Sequence, residues 1–354
     1  MNLTLNVVIN LKHTLYILYG VFNLGSDSMN DNTNIHIRQP IIIWRLIDGK
    51  PGHQNQSEGL VAAIERRHAC RCYDIPVQSG LDGIKGYLTA SWALGKGLPL
   101  PDLLIGAGHR THIHLLAARK AYGGKAIVLM KPSLPASFFD LSIIPEHDQY
   151  QGFARVLQTK GVLNSMRAAG PHHHTKALIM VGGPSKHYDF DMHDLIKQIK
   201  QLVEDDSSKH YTLTTSRRTP ASFVDELHKE IQPCANLEIV SVDKTKPGWV
   251  AEQLADVATA WISEDSVSMI YEALTARVAV GILNMTSKRE SRLAWGVNQL
   301  IAANDVVRFD KLGAYKQHLS PSFNYFEADR CVDWLHEQWL MPMADDLVSV
   351  PALG

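Results

Sequence analysis

The feature that most constrains this chain is an alternation of short apolar runs with helical segments, which begins near residue 41 and continues to about residue 283. The apolar runs are rich in β-branched side chains, and the segments between them carry apolar residues at helical spacing. This alternation is typical of β-α-β units, in which helices connect the parallel strands of one sheet. The sequence therefore predicts an α/β protein.

The alternation falls into two series of five strands. The first series is predicted at residues 41–47, 72–77, 103–107, 126–130 and 141–144, and the second at residues 177–181, 211–215, 237–242, 258–262 and 278–283. Around residues 150–176 the pattern lapses into glycine, proline and a run of three histidines. Because a chain of 354 residues exceeds the ~250–300 residues at which one core stops growing, we predict two Rossmann-type domains, over residues 39–168 and 169–322.

We expect the two ends of the chain to lie outside these sheets. Residues 3–25 are largely apolar, but Lys12 and His13 interrupt them, and a transmembrane span needs ~20 predominantly apolar residues. Residues 1–38 are therefore predicted to be a poorly ordered extension, with a weak membrane-surface anchor as the alternative. Residues 323–354 are predicted to contain a helix, over about 328–340, that packs back towards the first domain.

The composition limits which binding partners and which cellular setting are expected for this chain. The formal net charge is −1 and the isoelectric point is about 7.0, so a broad electrostatic footprint for nucleic acid is not expected. The 4 cysteines are too few and too scattered for a disulfide framework or a zinc ribbon, which fits a reducing, cytoplasmic setting. Peripheral contact with the inner face of the cytoplasmic membrane is left open beside that expectation.

Open parallel sheets bind ligands at the carboxyl ends of their strands, so the loops after the predicted strands are the candidate sites. In the second series, Gly182, Gly183 and Ser185 follow one strand and offer N–H and hydroxyl donors to an anion. Arg217 and Arg218 follow the next strand, where two guanidinium groups suit a phosphate clamp. The alternatives are a simple tight turn for the glycines and a solvated basic turn for the arginines.

A third loop of the second series combines hydroxyl groups with a helix start. Ser266 and Ser268 are predicted to cap a helix whose N-terminal N–H groups and dipole favour a phosphate, with Met269 in the same turn. Glu272 lies one turn further along the same face, where a carboxylate can accept both hydroxyls of a ribose. The alternative is an ordinary cap followed by a surface glutamate.

In the first series, polar side chains are dense after the first strand. His53 is the first candidate for a general base, because the ordinary pKa of histidine lies near neutral pH, and Asp48 is the second. A structural hydrogen-bonding role for His53 is the alternative. The candidate acceptor-binding residues of this half are Lys50, Gln54, Asn55 and Gln56 in the same loop, with His109 and Arg110 after the third strand.

The run Glu146-His147-Asp148 contains three residue types that bind metals. Adjacent residues diverge on any regular element, so a shared metal ion is not expected there.

These segments carry a resemblance to known families. The run from Asp265 to Leu283 is similar to the donor-site segment of GT-B glycosyltransferases, most of all the transferase that adds N-acetylglucosamine to the peptidoglycan lipid precursor. Over residues 41–340 the chain resembles the mitochondrial-fission ELM family, which has plant and bacterial members. The motifs that carry this resemblance are Asp48-Gly-Lys-Pro-Gly-His53, Gly106-x-Gly-His-Arg-Thr111, Pro145-x-His-Asp148, Gly182-Gly-Pro184, Ser216-Arg-Arg-Thr-Pro220 and Asp265-Ser-Val-Ser-Met269.

The resemblance implies a GT-B-like fold, in which two Rossmann-type domains face a cleft, and an activity. The plant members promote organelle division, and the bacterial members are regarded as glycosyltransferases of the cell envelope. The leading hypothesis is transfer of a sugar from a nucleotide sugar, as substrate, to a hydroxyl on a glycan or lipid-linked acceptor. No cofactor and no metal are expected, since GT-B enzymes work without a bound metal. The alternatives are a nucleotide-sugar 2-epimerase or hydrolase, and a non-catalytic scaffold.

Overall fold

A computed structural model of the chain describes residues 2–11, 14–23, 39–152, 155–231, 235–288, 291–309 and 319–340. The chain divides into two compact units. The first comprises Met1–Ile143, Gly152–Leu157 and Ala328–Gly354, and the second comprises Ile144–Gln151 and Gln158–Glu327. Within the described residues, no helix combines the length and the apolar character that crossing a bilayer requires.

The first unit is built on a six-stranded sheet. Its strands in chain order are β3 (Ile41–Ile47), β4 (Cys70–Pro76), β5 (Leu103–Ala107), β6 (Lys125–Leu129), β7 (Leu141–Pro145) and β8 (Val156–Thr159), and they lie side by side in the order β4-β3-β5-β6-β7-β8. The pairs from β4 to β7 are parallel. Every residue of β5 and β7 is buried, as expected for strands covered on both faces.

Three helices follow strands of this sheet. They are α1 (Pro51–Glu65), α2 (Gly80–Thr89) and α3 (His109–Tyr122). A fourth helix, α9 (Glu327–Leu335), continues into a π-helical turn at His336–Leu340. Arg66, just after α1, lies 2.7 Å from Asp329 of α9, and Arg67 pairs with Asp333. These ion pairs attach the C-terminal helix to the end of α1.

The second unit repeats the plan. Its strands are β9 (His173–Val181), β10 (His210–Thr215), β11 (Leu237–Val240), β12 (Val257–Ser263), β13 (Ala279–Leu283) and β14 (Val306–Arg308), all parallel and ordered β11-β10-β9-β12-β13-β14. Its helices are α4 (Met192–Asp205), α5 (Ala221–Glu230), α6 (Trp249–Asp256), α7 (Val267–Thr275) and α8 (Arg292–Ala302).

The central strand β9 shows how this sheet is buried. Ile179 and Val181 enter a core cluster that includes residues of α4 and α5, whereas Leu178 and Met180 enter a second cluster that includes residues of α7 and α8. Successive side chains of a strand point to opposite faces, so one apolar run supplies both layers. The predicted α/β class with two Rossmann-type sheets is confirmed.

Several elements differ from the sequence prediction. Each sheet has a sixth strand, β8 or β14, where five were predicted. The helices α2 and α8 are not among the predicted helical stretches, which are residues 56–67, 111–122, 192–204, 221–231, 249–255, 269–276 and about 328–340. Asn2–Leu11 and Thr14–Asn23 pair as an antiparallel hairpin, β1 and β2, where no strand was predicted, and residues 24–38 of the predicted extension lie outside the described residues.

Candidate functional site

The two candidate bases of the first unit form one hydrogen-bonded pair. Asp48 follows β3 with its side chain buried, and its Oδ2 lies 2.8 Å from Nδ1 of His53 in the first turn of α1. Its Oδ1 accepts the Lys50 N–H at 3.1 Å. A carboxylate only accepts hydrogen bonds, so Nδ1 of His53 is the donor and Nε2 carries the lone pair. The pair can therefore take a proton at Nε2 while Asp48 fixes the ring.

The loop after β5 closes against this pair. Gly108 has φ +85°, and a Cβ at this position would lie 2.2 Å from Nδ1 of His53 and 3.0 Å from Oδ2 of Asp48. Only glycine fits such an approach, because the backbone conformation and the space both exclude a side chain. Thr111 Oγ1 donates to the Gly108 carbonyl at 2.8 Å and holds the loop. The pairing of β5 with β3 brings the two loops together.

A further histidine that the sequence analysis missed lies beside the pair. His112 is buried on α3, one helical turn after His109, and its Nδ1 is 3.1 Å from the Ser133 hydroxyl. Burial, with a smaller contribution from the nearby His109 and His53, lowers the pKa of His112 to about 4. His112 is therefore neutral at physiological pH. The spacing of the two histidines on one helix was the available signal.

The other predicted residues of this unit divide by exposure. His109, Arg110, Lys50 and Asn55 are exposed, and Gln54 is half-buried. Gln56 is buried, and its Nε2 donates to the Gly52 carbonyl at 3.3 Å. This hydrogen bond lies within the first turns of α1.

In the second unit, the glycine loop after β9 is held by side chains of the loop after β12. Gly182 N–H donates to Ser263 Oγ at 2.7 Å, and Gly183 N–H donates to Asp265 Oδ2 at 3.1 Å. A Cβ at Gly182 would lie 2.2 Å from Ser266 Oγ, so the loops require glycine there. These two amides were predicted to be free donors for an anion. The structure corrects this, because both are already hydrogen-bonded.

Asp265 is the centre of this network, although the sequence placed it only in a family motif and not among the candidate site residues. Its side chain is fully buried, and Arg218 Nη2 lies 2.7 Å from its Oδ2. Arg218 also donates to the Gly183 carbonyl at 3.0 Å and to Ser266 Oγ at 3.3 Å. The guanidinium thus joins the loops after β9, β10 and β12. Arg217 is exposed, as is Arg218, but it makes no ion pair or hydrogen bond within the described residues.

The start of α7 differs from the predicted cap. Ser266 occupies the N-cap position with φ −105° and ψ 60°, and its side chain makes no capping hydrogen bond. Among the described residues, no side chain accepts from the N–H groups of Val267, Ser268 or Met269. Uncapped first-turn N–H groups carry the positive end of the helix dipole. With Arg218 beside Ser266, this helix start is suited to an anion.

The remaining predicted donor residues differ in exposure and in hydrogen bonding. Ser268 is exposed and Met269 half-buried, whereas Glu272, one turn further along α7, is largely buried. Ser185 Oγ accepts the N–H groups of His187 at 3.2 Å and Tyr188 at 3.0 Å, so its hydroxyl organises its own turn.

Two buried carboxylates, Glu264 and Asp148, form ion pairs with arginines of the second unit. Glu264 accepts Arg308 Nη2 at 2.5 Å and Met285 N–H at 3.3 Å, which fixes the loop after β13. Asp148 lies 2.8 Å from Arg292 of α8. Burial lowers the pKa of its neighbour His147. Within the described residues, no group of three histidine, cysteine or acidic side chains is arranged to hold a metal ion.

Comparisons with known proteins agree with this architecture. The uncharacterized protein RP120 of Rickettsia prowazekii (strain Madrid E) is 23% identical, with 66% of this chain and 80% of RP120 covered. The UDP-GlcNAc 2-epimerase of Methanocaldococcus jannaschii is 10% identical, with a TM-score of 0.56 over 84% of this chain and 100% of that chain. The S. aureus MnaA–UDP co-structure is 13% identical, with a TM-score of 0.53 over 87% of this chain and 99% of that chain.

The likeness to the solved structures is one of fold, which confirms the predicted two-unit, GT-B-like architecture. A family model described as mitochondrial fission ELM1 matches residues 51–339, which include the loops around Gly108, Gly182 and Asp265. On this match the chain belongs to the mitochondrial fission ELM1 family.

Proposed function

We propose that this protein is a glycosyltransferase that moves a sugar from a nucleotide sugar to a hydroxyl acceptor. The observation that carries the proposal is the uncapped start of α7 beside Arg218, which is suited to the phosphates of a nucleotide. The second unit is assigned the donor, and the first unit is assigned the acceptor and the base.

The donor's phosphates would be bound by the first-turn N–H groups of α7 and by the two arginines after β10. As the bond to the sugar breaks, negative charge grows on the leaving nucleotide, and fixed N–H dipoles and guanidinium groups stabilise it. Arg218 is already ion-paired with Asp265, whereas Arg217 makes no ion pair with any residue that the structure describes. Glu272 would accept the ribose hydroxyls. This donor site would use no metal ion.

The acceptor hydroxyl would lose its proton to Nε2 of His53. The carboxylate of Asp48 stabilises the imidazolium that forms, since it already accepts a hydrogen bond from Nδ1. A glycan or a lipid-linked sugar of the cell envelope is the proposed acceptor class, handled by a cytoplasmic enzyme in peripheral contact with the membrane.

A second candidate function is epimerisation or hydrolysis of the nucleotide sugar. The fold likeness to the M. jannaschii UDP-GlcNAc 2-epimerase supports it. Such an enzyme needs no separate acceptor, so turnover of the nucleotide sugar alone would favour it over transfer.

Calorimetry and thermal unfolding against UDP, GDP, CMP, ADP and their sugar conjugates test the donor site. Ligand at one hundred times its Kd stabilises the binding fold by about 2.7 kcal/mol. We expect one nucleotide to bind the wild type, and binding to weaken in Glu272→Ala and in Arg217→Ala. Because Arg217 makes no ion pair or hydrogen bond in the described part of the chain, its variant is expected to keep the fold intact. Glu230→Ala, at an exposed position of α5, is the matched control.

Two outcomes would count against the proposal. Absence of binding across the panel at millimolar ligand would exclude the transferase and favour a non-catalytic scaffold. Equal nucleotide binding by the Arg217→Ala and Glu230→Ala variants would show that Arg217, in the loop after β10, does not contribute to the donor site. Once a nucleotide is identified, Asp48→Asn tests the base, with a loss of roughly 10²–10⁴ in rate expected at unchanged nucleotide affinity.

A further inference from the structure

The helix α2 in the first unit has the reverse of the usual amphipathic arrangement. Its two buried residues are Gly83 and Gly86. A Cβ at Gly83 would lie 2.6 Å from Ile113 of α3, and one at Gly86 would lie 3.0 Å from Trp92 and 3.4 Å from Ala117. The helix therefore packs against α3 through a face without side chains.

The leucines of α2 lie on the side opposite the two glycines, and the other large apolar residues of the helix are also exposed. Leu81 is 76% exposed, Leu88 is 72% exposed, and Ile84 and Tyr87 are 48% and 40% exposed. Leu81, Ile84 and Leu88 recur at helical spacing, so they form one stripe. Leu94, in the segment that follows α2, is also exposed. A contiguous exposed apolar patch on a soluble fold marks an interaction surface.

The helix is fixed in this orientation rather than loosely placed. Ser79 caps its start by accepting the Leu81 N–H at 3.3 Å. His114 of α3 lies 2.8 Å from the Ser79 carbonyl, and its Nδ1 accepts from Trp92 Nε1 at 3.1 Å. Hydrogen bonds thus connect the segments at both ends of α2 to α3, and the apolar stripe faces away from α3.

The charges around the stripe are mainly positive. From residue 83 to residue 101 the sequence contains two lysines, Lys85 and Lys96, and no acidic residue. Lys120 of α3 adds a third cation, with its ammonium 4.7 Å from the ring centroid of Tyr87. The nearest acidic residue on the helix is Asp82, in its first turn. A rigid apolar stripe flanked by lysines fits the interface of a bilayer that contains anionic lipid.

We propose that α2 docks this protein on an anionic lipid surface, with Leu81, Ile84 and Leu88 entering the interface and Lys85, Lys96 and Lys120 pairing with headgroups. Docking at this surface does not require the proposed transferase activity. It would bring the first unit to the place where a lipid-linked acceptor resides.

Vesicle sedimentation of the full chain tests the proposal. The probes are vesicles of phosphatidylcholine alone and of phosphatidylcholine mixed with phosphatidylglycerol. We expect binding to the mixed vesicles that falls as salt is raised. Leu81→Ser/Leu88→Ser is expected to weaken the partition coefficient by about tenfold or more, because each leucine contributes apolar area to the interface. Lys85→Glu/Lys96→Glu should weaken binding to the mixed vesicles alone.

Phe138→Ser, at a 49% exposed aromatic outside α2, is the matched control and should bind as the wild type does. Wild-type binding to neither vesicle, or equal binding by the leucine variant and the control, would overturn the proposal. The proposal would also be overturned by evidence that protein, and not lipid, covers the stripe. A second copy is indicated if the leucine variant abolishes a dimer in sedimentation velocity. A segment of the same chain is indicated if that variant unfolds at lower temperature with vesicle binding unchanged.

Discussion

The strand-end loops of the two units use one arrangement for two kinds of chemistry. In each, a buried aspartate binds a basic side chain, and a glycine lies against that pair. In the first unit the aspartate is Asp48 and its partner is His53, whose side chain remains 19% exposed. In the second unit the aspartate is Asp265 and its partner is Arg218.

The difference lies in the partner. Histidine gains and loses a proton near neutral pH, so an aspartate that fixes one ring nitrogen prepares the other for proton transfer. Arginine keeps its charge, so Asp265 fixes a permanent cation at the start of α7. Two similar loop systems are thus suited to different tasks, proton transfer in one unit and anion binding in the other.

The largest effect is expected from removing the aspartate of the second unit. Asp265→Ala leaves Arg218 without its carboxylate and the Gly183 amide without an acceptor. We expect the free energy of unfolding to fall by about 3 kcal/mol. Urea unfolding measures this, with Asp243→Ala at an exposed position as the control. A loss no greater than that of the control would show that the three loops do not depend on Asp265.

The next effect isolates the contact between Gly108 and His53. Gly108→Ala combines an unfavourable φ of +85° with a clash at Nδ1 of His53, whereas Gly97→Ala has φ +84° and nothing within 4 Å. We expect Gly108→Ala to cost about 1–3 kcal/mol more than Gly97→Ala in thermal unfolding, because only the former overpacks the loop. The imidazole NMR signals of His53 should shift in that variant alone. Equal costs for both variants would mean that the loop yields without disturbing the pair.

The buried His112 makes the stability of the first unit depend on pH. Its pKa is lowered from 6.5 to about 4 in the folded state, mainly by burial. Between these pH values His112 is protonated in the unfolded chain and neutral in the folded chain, so the free energy of unfolding falls as pH falls. His112→Asn should flatten this slope by up to about 1.4 kcal/mol per pH unit. Parallel curves for the two proteins from pH 7 to pH 4 would contradict the assignment.

The smallest effect concerns the start of α7. A serine that caps a helix typically contributes about 1 kcal/mol, but Ser266 makes no capping bond. We expect Ser266→Ala to cost about 0.5 kcal/mol or less, for the lost contact with Arg218. Asp191→Ala at the start of α4, where Asp191 caps the Asp194 N–H at 3.0 Å, should cost about 1 kcal/mol. Equal losses in chemical unfolding would mean that Ser266 stabilises α7 as an ordinary cap.

Much of the fold could be predicted because strand and helix patterns are local. The runs Ile41–Ile47 and Leu103–Ala107 were identified from their apolar and β-branched side chains, although Arg45 interrupts the first run and only the second is buried at every residue. Elements whose stability comes from their neighbours were missed. The strands β8 and β14 have four and three residues and lie at sheet edges. The helix α2 carries glycine where helices usually carry leucine, which gives it a weak helical signal.

What the sequence alone determined is the alternation of strands and helices, and the concentration of glycine, histidine, arginine and serine at the strand ends. What only the tertiary structure decided is which of these residues meet. Gly108 meets His53 because β5 lies beside β3, and Gly183 meets Asp265 because β12 lies beside β9. The physical reason is that the spacing of apolar residues along one segment reflects the local backbone conformation. Which residues of different segments come into contact depends on the order of the strands in the sheet.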